Sequence, residues 1–150
     1  MTGTSGITWN IVNCKDFLAV EIDENLYVIY PDNTYDNILS GICHLTKWAY
    51  SDNLVMCSDS KGIILLEKRN GRLEIRNRLG NCDGYCQAPL KNDNLGNIWV
   101  DGLLGGVQRL TLDKRKQNVI KDKFYPIGDK RKIVKSHYVD NRIVFSQGKD

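Results

Sequence analysis

The chain of 150 residues repeats itself at a fixed interval, and that repeat restricts its fold more than any other feature. "DNLVM" begins at Asp52, "GNIWV" at Gly96 and "DNRIV" at Asp140, a spacing of 44 residues twice over. Asn53, Asn97 and Asn141 coincide, as do Val55, Trp99 and Ile143, and Met56, Val100 and Val144. The same offset carries Gly62 onto Gly106, Leu66 onto Leu110, Ile75 onto Val119, and Lys47 onto Lys91 and Lys135. A gap-free offset over this many positions means that one supersecondary unit is used more than once.

Each unit reads as strands. "NLVMCS" is a short apolar run, "GIILLEK" follows the turn "DSKG", and "RLEIRN" alternates apolar and polar residues. Asn70-Gly71 between the last two runs is a type I′ hairpin signal, because both residues tolerate positive φ. "ICHLTKW" supplies a strand ahead of these three. Four short antiparallel strands in about 44 residues is the length of one propeller blade. The next unit follows the plan with "CQAPLKN", "NIWVDG", "GVQRLTL" and "QNVIKD"; Pro89 weakens the start of its first strand or marks a bulge there. A shortened unit precedes them, built on a hairpin around Asp23-Glu24, and "KIVKSHY" with "RIVFSQ" gives two strands of another.

The expectation is an all-β chain: one partial β-propeller region over 1–150, with blade-like units at about 8–39, 40–79 and 84–122 and a half unit at 131–148. Propellers close with roughly four to eight blades. About three and a half would leave two apolar faces open, to be covered by other blades of a larger parent or by self-association. Gly96, Gly102, Gly105 and Gly106 fall in turns between strands, not between a strand and a helix, so they are no dinucleotide fingerprint. Gly105-Gly106 is expected to form a tight turn with positive φ. Trp99, aligned with Val55 and Ile143, is expected to pack between neighbouring blades.

"DNLGNIWVDGLLGGVQRL" resembles the regulator-propeller repeat, through Asp93, Gly96, Asn97, Ile98, Trp99, Val100, Gly105, Gly106 and Arg109. It departs at Asp101 and Gly102, where that repeat usually has Gly-Thr. The resemblance implies a segment of the periplasmic, extracytoplasmic sensor region of a hybrid two-component system, upstream of a histidine kinase and response regulator. It also implies recognition of a glycan fragment or similar nutrient, and its motif is structural, with no catalytic residue. The alternative is a protein–protein interaction scaffold without a small-molecule ligand.

Chemistry is sparse along the chain. No G-x-S-x-G, H-E-x-x-H, P-loop or EF-hand pattern occurs, so neither enzyme activity nor a cofactor is expected. Five cysteines are an odd number, and Cys82 and Cys86 form C-x3-C without a second Cys/His pair at ligand spacing. Buried thiols are expected and no metal site; a Cys82–Cys86 bridge would need an oxidising compartment. The segment 113–135 carries nine Lys or Arg against three Asp, a net +6, so the remainder holds −3 of the overall +3. Only Phe124 and Tyr125 are aromatic there, so Lys-protected strand edges fit better than a nucleic-acid surface, and no nucleic-acid partner is expected.

No apolar run reaches the ~20 residues of a membrane-spanning helix, and "MTGTSGITWN" does not read as a signal peptide. His44, in an apolar strand, reads as a core histidine. The connections "WAYSDN", "NDNLGN" and "HYVDN" would line one end of a propeller channel. They make Trp48, Tyr50, His137 and Tyr138 the candidate ligand-binding residues, with rings and polar groups suited to a sugar; Asn97, Trp99, Gly105 and Gly106 are the structural motif.

Overall fold

The computed structural model describes residues 8–48, 51–80, 90–101, 105–140 and 142–147. Among them there is no helix. The first sheet is a meander of β1 (Thr8–Cys14), β2 (Phe17–Ile22), β3 (Asn25–Ile29) and β4 (Tyr35–Ser40). The second contains β5 (Ile42–Lys47), β6 (Leu54–Asp59), β7 (Gly62–Arg69) and β8 (Arg72–Arg78), and the third β9 (Leu90–Asn92), β10 (Ile98–Val100), β11 (Gly106–Leu112) and β12 (Val119–Pro126). A hairpin of β13 (Val134–Val139) and β14 (Arg142–Gln147) follows. Every pairing is antiparallel and joins strands adjacent in sequence, the plan of a propeller blade.

The sheets stack in chain order, and the second is buried on both faces. Val55, Cys57, Ile64 and Leu66 pack on Ala19, Leu26 and Val28 of the first sheet. Their neighbours Leu54, Met56, Ile63 and Leu65 pack on Ile98, Val100 and Leu110 of the third. This explains why β6 and β7 are unbroken apolar runs: a strand with no solvent face has no reason to alternate. The outer strand β12 is the opposite case. Only Val119 is buried, and Lys121, Asp122 and Lys123 line the sheet edge, where charge discourages pairing with another chain.

Turns fall where the sequence places them. Asn70 (φ 50°) and Gly71 (φ 82°) both take positive φ, as a type I′ turn requires. Asp23 (φ 47°) and Glu24 (φ 60°) do the same without a glycine. Gly105 also has positive φ (70°), and a Cβ there would lie 2.7 Å from the Cα of Lys130. Gly106 differs from the expectation: its φ is not positive, and what requires glycine is crowding by the Tyr125 carbonyl and the Phe124 ring across the ladder.

The structural repeat departs from the sequence repeat in the third sheet. Val55 pairs with Leu66, yet Leu110, the counterpart of Leu66, pairs with Ile98 and not with Trp99. A one-residue slip turns each side chain to the other face. Trp99 is thereby the counterpart of Met56, not of Val55. It is half-buried, and it faces the following hairpin, with its ring 5.2 Å from Phe145 and 5.6 Å from Tyr125. The final hairpin departs as well: Ile143 pairs with Tyr138, whereas Val55 and Trp99, which the 44-residue offset aligns with it, pair with Lys47 and Lys91.

Candidate functional site at the inner strand edges

The first strands of the sheets, β1, β5 and β9, lie side by side. Where they converge there is a hollow of about 140 Å3, lined by Asn10, His44, Leu45, Thr46, Leu90 and Lys91. A cavity of roughly 150 Å3 is enough to admit a benzene ring, so this one has space for a single six-membered ring. Its lining combines an amide, an imidazole, a hydroxyl and an ammonium with two leucines.

His44 enters this hollow through an irregular backbone. Cys43 pairs with Ser58 and Thr46 with Met56, so His44 and Leu45 together oppose Cys57: a β-bulge. His44 itself has φ of 54°, in the left-handed region that a non-glycine residue rarely enters inside a strand. Bulges re-aim side chains, and backbone held in such a region clusters at binding sites. As a sequence, "ICHLTKW" reads as a regular strand with His44 as a core residue. It is instead half-exposed and lines the hollow.

Buried acids hold the strand edges around it. Glu21, on β2 and 5% exposed, accepts hydrogen bonds from Asn10 Nδ2 (2.7 Å) and the Leu45 amide (3.3 Å). Asp101, after β10 and 4% exposed, accepts from the Ser136 amide (2.6 Å) and the Ser136 hydroxyl, with Lys91 Nζ at 3.6 Å. Each carboxylate thus reaches from the second strand of one sheet, or from the residue just after it, to the first strand that follows. Sheet register makes Glu21, Ser58 and Asp101 equivalent, and all three are buried. The 44-residue offset hid this by aligning Ser58 with Gly102. The signal present in the sequence was Asp101 itself, the residue that departs from the regulator-propeller pattern.

The DNLGNIW motif is a carboxylate clasp. Asp93 accepts hydrogen bonds from the amides of Leu95 (3.0 Å) and Asn97 (2.9 Å), from Asn97 Nδ2 (2.9 Å) and from Trp99 Nε1 (2.9 Å). Gly96, with φ of 80°, closes the turn. Asp113 repeats the device on the Gln117 amide and Asn118 Nδ2.

Of the four residues expected to contact a ligand, Trp48, His137 and Tyr138 are described, and they lie in different settings. Trp48 is 3% exposed, in the core between the second and third sheets, with Lys116 Nζ 4.6 Å from its ring centre, so it offers no face to a sugar. Tyr50 lies outside the described residues, as do Cys82, Cys86, Pro89, Gly102 and Asn141. The Tyr138 hydroxyl donates to the Asn92 carbonyl (2.8 Å) and accepts from the Asn92 amide (3.0 Å), tying the hairpin to β9. His137 is exposed, and its Nε2 lies 3.0 Å from the Ser146 hydroxyl. Cys14 is a buried free thiol and Cys57 is buried too; burial raises the pKa of Cys14, which keeps it protonated and unreactive. Among the described residues no His/Cys/Asp/Glu group could hold a metal ion, and no helix is long and apolar enough to cross a membrane. Several basic side chains lie over rings: Arg109 over Trp99 and Tyr125, Lys123 over Tyr125, Arg72 over Tyr30.

Surface carboxylates give the chain an acid limit. Hydrogen bonds from Lys68, Lys47 and Arg78 depress Asp16, Asp52 and Asp59 respectively, and backbone amides do the same for Asp113 and Asp129. Each folded value lies below the unfolded one. The contribution is therefore complete above the ordinary carboxylate pKa of about 3.9 and vanishes as pH falls through the depressed values. The urea midpoint is expected to be flat from pH 7 to about 5 and to decline modestly below about 4, because these carboxylates are mostly exposed. A midpoint unchanged at pH 3 would contradict this.

The fold and site define a stacked, blade-like all-β chain with a polar, ring-sized hollow where its first strands meet. No protein-family model matches the chain, and no curated protein sequence does. A chain in the solved S. cerevisiae structure of a Dbp5 variant bound to Nup159, a Gle1 variant, IP6 and ADP is similar in shape. It is 10% identical with a TM-score of 0.47, over 96% of this chain and 37% of that one. The present chain spans little more than a third of that neighbour, and a likeness of this size carries no argument about function.

Proposed function

We propose that this chain is a non-catalytic recognition segment that receives one polar, ring-sized group, the end of a glycan or a similar nutrient, in the hollow between β1, β5 and β9. The carrying observation is His44, held at positive φ on a bulge and lining that hollow beside Asn10, Thr46 and Lys91. Donors of this kind suit the hydroxylated rim of a sugar ring. The resemblance of Asp93–Arg109 to the regulator-propeller repeat supports a setting in the periplasmic sensor region of a hybrid two-component system. A docking scaffold is the second reading, favoured by the exposed apolar side chains of the first sheet.

The test is a thermal-shift screen of neutral and acidic oligosaccharides, followed by His44→Gly. Glycine relieves the left-handed backbone while removing the imidazole. The variant is expected to be at least as stable as the parent and to bind the hit at least about tenfold more weakly, a loss of about 1.4 kcal/mol. Unchanged binding by His44→Gly, or a screen in which no sugar raises the melting temperature, would overturn this reading.

A further inference from the structure

We propose that the outward face of the first sheet docks onto the outward face of the β13–β14 hairpin of a second copy, so that copies of this chain associate head to tail. Among the described residues the first face is apolar and uncovered: Ile11 and Tyr35 are each 64% exposed, and Leu18 and Ile29 are also exposed. Pairing register makes Leu18 the counterpart of Val55, since Leu18 pairs with Ile29 as Val55 pairs with Leu66. In the second sheet that face is covered by the preceding sheet. The first sheet thus presents the receiving side of a contact that the fold already makes.

The hairpin presents the complementary side. Val134, Ser136 and Phe145 turn towards the third sheet, through Asp101 and Trp99. Alternation sends Val139 and Val144 outward, both exposed, beside Lys135 and His137. A face that receives and a face that is offered differ, so the contact is heterologous, joining the head of one copy to the tail of another.

Charge selects the same geometry. Leaving out the buried Glu21, residues 8–40 hold five acids against one Lys, a net −4, and residues 127–147, which include the hairpin, hold five Lys or Arg against two Asp, a net +3. Asp16 and Asp36 are matched by Lys68 and Arg72 of the second sheet, which leaves the first sheet acidic still. Head-to-head pairing would set two acidic sheets against each other; head-to-tail pairing sets acid against base.

Sedimentation velocity on the 150-residue chain tests the proposal. Species larger than a monomer are expected to grow with concentration and to diminish at high salt. Leu18→Glu blocks the head and Val144→Glu blocks the tail; both positions are exposed, and circular dichroism confirms that each variant keeps its strands. Each alone is expected to be monomeric, while an equimolar mixture forms one heterodimer through the unblocked head and the unblocked tail. A parent that stays monomeric at all concentrations, a Val144→Glu variant that assembles like the parent, or a mixture without heterodimer would each overturn the proposal.

Discussion

Trp48→Ala is expected to destabilise the chain by about 3–5 kcal/mol, the range for truncating a large buried aromatic. For a domain of this size that is a fall in melting temperature of roughly 6–20 °C. The indole lies among Leu54, Met56, Leu79 and Leu90, between two sheets, and the Lys116 ammonium covers its face. Removing it leaves a cavity with walls on both sheets, which cannot collapse without moving one of them. Urea unfolding of the ligand-free chain is the measurement. A Trp48→Ala variant within about 1 kcal/mol of the parent would show that the ring contributes little packing, and would reopen its reading as a ligand platform.

Asp101→Ala is expected to cost about 3 kcal/mol, and to do so locally. The substitution takes the acceptor from the Ser136 amide and hydroxyl and strands the Lys91 ammonium, which is largely buried. Removing one partner of a buried charged pair is destabilising because the other is left without compensation. Amide hydrogen exchange locates the effect: protection across β13 and β14 should fall by about two orders of magnitude, while β6 and β7 keep theirs. Ser136→Ala, which retains the backbone donor, should cost less. Equal loss of protection in every sheet would mean that Asp101 supports the whole fold and not the joint between the third sheet and the hairpin.

Much of the fold could be read from the sequence because its main constraints are local. The Asn70-Gly71 turn, the unbroken apolar runs of β6 and β7 and the polar edge strand β12 each record their surroundings in residue type. Facing direction was not legible in the third sheet. A repeat aligned by residue number assumes that every loop keeps its length in register terms, and the β10–β11 ladder does not. One residue of slip sent Trp99 towards Phe145 and concealed the equivalence of Glu21, Ser58 and Asp101.

The site was less legible still. Aromatic residues in channel-side connections suggested a sugar platform, but residue type could not separate a buried indole from an exposed one, as Trp48 shows. His44 reads as a core residue in an apolar strand because a bulge arises from the mismatch between two strands, and neither strand declares it alone.

The doubly covered second sheet has a consequence during synthesis. Its apolar run to Leu66 leaves the ribosome with a partner already made on one side only. The strands that cover the other side are not complete until Pro126, about 60 residues later. At about 5–20 residues per second, Met56, Ile63 and Leu65 stay wet for roughly three to twelve seconds. A nascent chain in that interval is a client for holdase chaperones, and its yield in a cell should follow their abundance more closely than it follows the stability of the finished fold.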